Sequence, residues 1–148
     1  KMSEINTIIL SPEQEKKVVM AIQKAELNTS GEIRIHIETS CTSDVYNRCM
    51  DMFSKLEMYK TQQRNGVLIY VAFQSKSFAI YGDKGINEVV KNNFWESTKN
   101  TIQTHFERGD YQKGLIDGVA EIGKQLKQFF PISDDDKNEL SDTISRTE

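Results

Sequence analysis

The sequence predicts an α/β protein, a three-layer α/β/α sandwich with a small mixed sheet. Three observations carry that expectation. Gly31-Glu32-Ile33-Arg34-Ile35-His36-Ile37-Glu38 alternates polar and apolar residues without a break, the period of a strand with one apolar face. Val67 to Phe73 is almost continuously apolar, which marks a strand covered on both faces and therefore a central one. Segments of helical spacing precede, separate and follow these strands, so helices are available for both faces of the sheet.

The elements follow in order. Ser11-Pro12-Glu13-Gln14 opens a helix: Ser11 caps, Pro12 suits the first helical position, and Gln14 closes a capping box. Val18, Ile22 and Ala25 continue it to about Leu27, and Thr29-Ser30-Gly31 breaks it. In the strand that follows, Ile33, Ile35 and Ile37 face one way, and Glu32, Arg34, His36 and Glu38 make a polar or partly covered face. Ser43 or Asp44 caps a second helix with Val45, Cys49, Met52, Phe53 and Leu56 on one side. Arg64-Asn65-Gly66 turns the chain into the central strand. Gln74-Ser75-Lys76 then forms a short turn into a third strand over Ser77 to Tyr81. Ile86 to Arg108 reads as helical, with Phe94, Trp95, Thr98, Ile102, His105 and Phe106 at three- and four-residue steps. Gly109 ends that helix and Asp110 caps the last one, Tyr111 to Phe130, which Pro131 stops. Gly114 and Gly118 within it cost helix propensity and are expected at a close packing contact. Residues 1–130 thus form one domain, and 131–148, with Asp134-Asp135-Asp136, read as an acidic tail mostly without fixed structure.

The composition excludes several classes. The net charge is -3, from 22 acidic and 19 basic residues, and the basic ones are scattered rather than striped. A nucleic-acid partner is therefore not expected. No apolar run approaches the roughly 18 residues of a membrane span. The start lacks the basic and apolar regions of a signal peptide, so the expectation is a cytoplasmic location, the alternative being that a targeting segment has been removed. Cys41 and Cys49 are too few for a disulfide framework and read as reduced thiols. Gly-x-Ser-x-Gly, Walker and Asp-x-Asp motifs are absent. Cys41 and Arg48 stand one residue too far apart for a cysteine-phosphatase loop. His36 and His105 have no metal-spaced partner. No catalytic nucleophile is assigned.

The topology makes one geometric expectation about a site. The first two strands are parallel through a right-handed crossover and the third returns antiparallel. Glu32, Asn65 and the Gly82-Asp83 turn should therefore meet at one end of the sheet. Two carboxylates and an amide beside glycines are hard oxygen donors of the kind that suits calcium or magnesium. The alternative is that Glu32 pairs with a base, Asp83 stabilises a turn, and Asn65 supplies left-handed backbone. Asp110 is first of all a helix cap, and joins the set only if its loop folds back to the same sheet edge. Asp83 sits at a strand end, so its loss is expected to spare the fold.

At these residues the chain resembles the TPM domain family, the thylakoid-lumen-phosphatase-like fold. The likeness runs through Ser30-Gly31-Glu32-Ile33, Arg64-Asn65-Gly66-Val67-Leu68-Ile69-Tyr70-Val71 and Tyr81-Gly82-Asp83-Lys84-Gly85-Ile86. It continues in His105-Phe106-Glu107-Arg108-Gly109-Asp110-Tyr111 and in Gly114-Leu115 with Gly118-Val119. Gly-Asp-Lys-Gly in place of a Gly-Tyr-Gly turn, and the ending Ser133 to Leu140, look like the soluble stand-alone bacterial branch. The resemblance implies an α/β/α sandwich that binds a divalent cation, calcium before magnesium. It implies Glu32, Asp83 and, less directly, Asp110 as metal ligands. It further implies a role in protein or membrane maintenance, with a protein partner at a membrane, and weak metal-assisted phosphatase activity as the alternative. A cation-binding interaction domain without catalysis is the expected function.

Overall fold

The computed structural model describes residues 9–132 and 142–147. Strand β1 spans Glu32–Glu38, β2 Gly66–Ala72, β3 Ser77–Gly82 and β4 Ser145–Thr147. The sheet order is β3-β2-β1-β4. β2 is buried at every position, as its unbroken apolar run demands. β1 lies parallel to it, with Glu32 opposite Gly66 and Glu38 opposite Ala72. β3 is antiparallel, with Val67 opposite Gly82 and Ala72 opposite Ser77. Five helices complete the described fold: α1 Pro12–Glu26, α2 Val45–Lys55, α3 Lys84–Asn87, α4 Glu96–Glu107 and α5 Tyr111–Phe129.

The two faces of the sheet are covered by different helices, which gives the expected three layers. Ile33, Ile35, Ile37, Val67, Ile69 and Val71 pack against Val18 and Ile22 of α1, Ile102 of α4, and Leu115, Val119 and Ile122 of α5. On the other face Leu68, Tyr70, Ala72 and Ala79 meet Cys49, Met52 and Phe53 of α2. The Ser11–Gln14 capping box forms, with Gln14 N–H donating to Ser11 Oγ at 3.2 Å and Ser11 N–H to Gln14 Oε1 at 2.8 Å. Gly118 does mark a close contact: a Cβ there would lie 2.7 Å from the Ile102 side chain.

The structure corrects one expectation and sharpens two. The helical reading of Ile86 to Arg108 splits into the short α3, a run of turns, and α4 from Glu96. Asn92 and Asn93 lie in the gap, and asparagine side chains compete with the helical backbone. Within the acidic tail, Ser145–Thr147 pairs with β1, Ser145 opposite His36 and Thr147 opposite Glu38, a strand that the sequence reading did not contain. Asp134-Asp135-Asp136 lies outside the described residues. The face of β1 read as polar or partly covered is covered, by contacts from β4 and α2. His36 is 1% exposed. Its Nδ1 hydrogen-bonds Ser145 Oγ at 2.8 Å and its Nε2 hydrogen-bonds Thr147 Oγ1 at 2.6 Å. Glu38 accepts two bonds from Arg48 of α2, at 2.9 and 2.7 Å, and a third from the Tyr70 hydroxyl.

Burial pushes the His36 imidazole down to about 4; Arg48 and Arg34 add to the fall and Glu38 opposes it. The folded value lies below the unfolded one, so the folded state gives up a proton and stability is lost as pH falls from 6.5 towards 4. His36→Gln removes that dependence. Between pH 6.5 and 5 the variant should gain on the wild type by about 1 kcal/mol per pH unit, read from paired urea unfolding curves. A stability difference that does not change with pH contradicts the assignment.

A carboxyl-lined end of the sheet as candidate functional site

β1 and β2 begin, and β3 ends, at one end of the sheet, and the loops there are laced together by backbone bonds. Glu32 N–H donates to Asn65 O at 3.3 Å, Asp83 N–H to Gly66 O at 3.0 Å, and Gly85 N–H to Arg64 O at 2.9 Å. Glu32, Asn65 and Asp83 therefore do converge, and all three are buried, at 2%, 1% and 2% exposure. Asn65 Nδ2 donates to Ser30 Oγ at 3.1 Å, and Gln63 Nε2 reaches the same hydroxyl at 2.9 Å. Arg64, not Asn65, carries the left-handed backbone, with φ 51°.

Asp83 is fully engaged. Its Oδ2 accepts from Arg64 Nε at 2.7 Å and its Oδ1 from Arg64 Nη2 at 3.1 Å. Oδ1 also takes the Lys84 N–H at 2.8 Å and so caps α3. Removing this carboxylate breaks a bidentate pair and a cap together, so the expectation that its loss spares the fold does not survive the contacts. The glycine beside it serves the chain's own backbone. A Cβ on Gly85 would fall 2.1 Å from Gln63 O and 2.6 Å from Arg64 O, which leaves room for no other residue.

Asp110 does not join them. It caps α5 by accepting the Lys113 N–H at 3.1 Å. Its neighbour Tyr111 packs on Phe106, whose ring stacks edge-on to Phe78 at 5.3 Å. Phe78 sits opposite Val71, near the β2–β3 hairpin, and so belongs to the other end of the sheet. The loop after Arg108 folds towards the hairpin rather than back to the Asp83 edge.

Sequence reasoning missed Glu26. This last residue of α1 accepts the Ile33 N–H through Oε2 at 2.8 Å and lies beside Asp142 and Glu32. Burial and a hydrogen bond with Asp142 push its carboxyl up to about 9, the Asp142 and Glu32 charges add to the rise, and the Ile33 N–H opposes it. At neutral pH Glu26 is therefore protonated and donates to Asp142. A faint sign of this stood in the sequence: a glutamate in the last turn of a helix opposes the helix dipole and needs another reason to be there.

The thiols and the second histidine are elsewhere. Cys41 and Cys49 are both free, and burial pushes Cys49 up to about 12, so this thiol is unreactive. His105 Nε2 pairs with Asp117 at 3.0 Å on the α4–α5 face. Among the described residues no three of His, Cys, Asp and Glu are arranged to hold a metal ion. The set implied for calcium thus does not form a ready cage: Asp110 is remote, and Asp83 is occupied by Arg64. No helix of the described residues is long and apolar enough to cross a membrane.

A small mixed sheet between two helical layers, with charged groups gathered where the parallel strands begin, defines an α/β domain of a particular kind. The chain belongs to the TPM domain family, whose model matches residues 5–125. It is similar over 93% of its length to the BA42 protein of the psychrophilic bacterium Bizionia argentinensis, at 51% identity and a TM-score of 0.88, covering 95% of that chain. The N-terminal domain of the cg2496 protein of Corynebacterium glutamicum shares the fold at 11% identity and a TM-score of 0.64, over 94% of this chain and 80% of that one. So does the N-terminal domain of a P. gingivalis protein, at 16% identity and a TM-score of 0.65, over 82% of this chain and 79% of that one. No curated protein matches the chain.

The Glu26 carboxyl has a thermodynamic signature. Its folded value exceeds the unfolded one, so its contribution is complete below about 4.5 and is lost as pH rises through about 9. Glu26→Gln should be flat where the wild type declines. Between pH 7 and 8.5 the wild type is expected to lose about 1 kcal/mol per pH unit relative to the variant, measured by urea unfolding. Parallel curves contradict the shared proton.

Proposed function

We propose that this chain is a divalent-cation-binding interaction domain, for calcium before magnesium, that serves protein or membrane maintenance by binding rather than by catalysis. What supports it is the gathering of Glu26, Glu32 and Asp142 at this end of the sheet, where burial first, and then the neighbouring carboxyl groups, push the Glu26 carboxyl up to about 9. Carboxyl groups crowded in this way are relieved either by a proton or by a cation. Calcium accepts irregular sets of carboxylate and carbonyl oxygens, whereas magnesium demands near-octahedral geometry. A cation entering here competes with the Glu26 proton and, at Asp83, with the Arg64 guanidinium. Its affinity is accordingly modest and rises with pH. Binding without catalysis is favoured by the pairing of the charged groups: Asp83 is tied to Arg64, Glu38 to Arg48 and Tyr70, and Glu26 to Asp142. None of these leaves a base poised on a nucleophile.

Calcium titration of the protein by two-dimensional amide NMR, with magnesium in parallel, tests the reading. Saturable shifts are expected at Glu26, Glu32, Ile33 and the Gly82–Gly85 turn, with affinity several-fold higher at pH 8 than at pH 7. Shifts confined to Asp134–Asp136, or none, overturn it.

A further inference from the structure

Residues 105–111 help to build a hollow at the hairpin end of the sheet, between the β2–β3 turn and the α4–α5 turn. It encloses about 460 Å³, a size typical of small-molecule sites. Val71 and Phe73 line it from the sheet, and Phe78, Phe106 and Tyr111 bring half-buried rings to it. These three rings already hold one another in place. Phe78 meets Phe106 edge-on at 5.3 Å, and Phe106 meets Tyr111 at 4.9 Å, between ring centres. A ligand therefore need not order them. Gly109 keeps the mouth open. Its φ of 76° is one that glycine adopts without strain, and a Cβ there would meet nothing within 4 Å.

Two opposite charges line this hollow without partners. Lys76 lies in the β2–β3 turn and Glu107 ends α4, and neither side chain forms an ion pair among the described residues. Each position disfavours the residue that holds it. Lys76 has left-handed backbone, with φ 54°, where glycine or asparagine fits more easily. Glu107 sets a carboxylate at a helix C-terminus, against the dipole. The charges beside them cancel. Arg108 and Asp110, on either side of Gly109, carry one of each sign. His105 and Lys113 are both engaged by Asp117, at 3.0 and 3.3 Å. The side chains of Ser77 and Gln103 also line the hollow and make no hydrogen bond among the described residues. An excess of either sign would select a simple ion. A balanced pair of charges beside an aromatic wall selects a molecule that carries both charges and an apolar body. Lys76 then meets the carboxylate, Glu107 and the last carbonyls of α4 meet the ammonium, and the rings receive the side chain.

We propose that this hollow binds a free amino acid with an aromatic side chain. It lies at the opposite end of the sheet from Asp83, so it stands apart from the cation reading, and it is tested with EDTA present.

The experiment is amide NMR titration of the protein with four probes. They are L-phenylalanine, phenylpropanoate, which lacks the ammonium, phenethylamine, which lacks the carboxylate, and L-alanine, which lacks the ring. Phenylalanine should give saturable shifts at Lys76, Ser77, Gln103, Glu107 and Gly109 at millimolar concentration. It should bind about tenfold or more tightly than each of the other three. Lys76→Gln should weaken phenylalanine and phenylpropanoate by about tenfold and leave phenethylamine unchanged. Glu107→Gln should weaken phenylalanine and phenethylamine by about tenfold and leave phenylpropanoate unchanged. Both residues are exposed, and an amide spectrum otherwise like that of the wild type establishes that each variant is folded. Absence of saturable shifts, or indifference to both substitutions, overturns the proposal. So does phenylpropanoate or alanine binding as tightly as phenylalanine, which would assign the hollow to a simple carboxylate or leave the rings without a part. Shifts at these residues on dilution of the ligand-free protein would assign the hollow to a second copy of the chain, and overturn it equally.

Discussion

The carboxyl of Glu26 ties together three parts of the chain that are remote in sequence. One oxygen holds the amide of Ile33 as β1 begins, and the carboxyl proton is shared with Asp142 ahead of β4. The end of α1, the head of a central strand and the approach to the edge strand thus meet at one titratable group. Burying a charged carboxylate here would cost several kcal/mol, and keeping it neutral avoids most of that cost. The price is sensitivity to whatever else can take the place of a proton. Around this group the backbone is closely knit, through Glu32 to Asn65, Asp83 to Gly66 and Gly85 to Arg64. The region is a firm frame around one carboxyl that burial pushes up to about 9.

Most of the fold was legible in the sequence because its signals were local. The alternation of β1, the apolar run of β2, the Ser11 capping box and the Asp44 and Asp110 caps all act over a few residues. The convergence of Glu32, Asn65 and Asp83 was legible as well, since it follows from one parallel and one antiparallel pairing. What stayed hidden depends on distant partners. β4 is three residues long and is held by hydroxyls reaching His36, which no period in the tail announces. Nothing near Glu26 says that its neighbour would be Asp142. The internal partners of Gly82-Asp83-Lys84-Gly85 stayed hidden for a related reason. Its glycine and carboxylate are used by Arg64, from a segment that the sequence marks only as a turn.

The two faces of the same pole offer different chemistry. Inside lie the carboxyl groups with their proton, an arginine and a lattice of amides. Outside lie exposed apolar side chains, Leu27, Tyr59, Val89, Phe129 and Ile132, and lysines. The topology favours this juxtaposition, because three of the segments that carry these side chains also carry a residue of the polar interior. Leu27 stands one residue from Glu26, Tyr59 precedes Arg64, and Val89 follows Asp83. A change of charge inside therefore has a short path to the loops outside.

The protonation of Glu26 is the measurement on which the rest turns, and carbon-detected NMR of its side-chain carboxyl reads it directly. A midpoint near 9 in chelator, moving to lower pH when calcium is added, is the predicted result. A midpoint in the ordinary carboxylate range, unmoved by calcium, would show that the group is an unremarkable surface acid and would contradict both the shared proton and the cation site built on it.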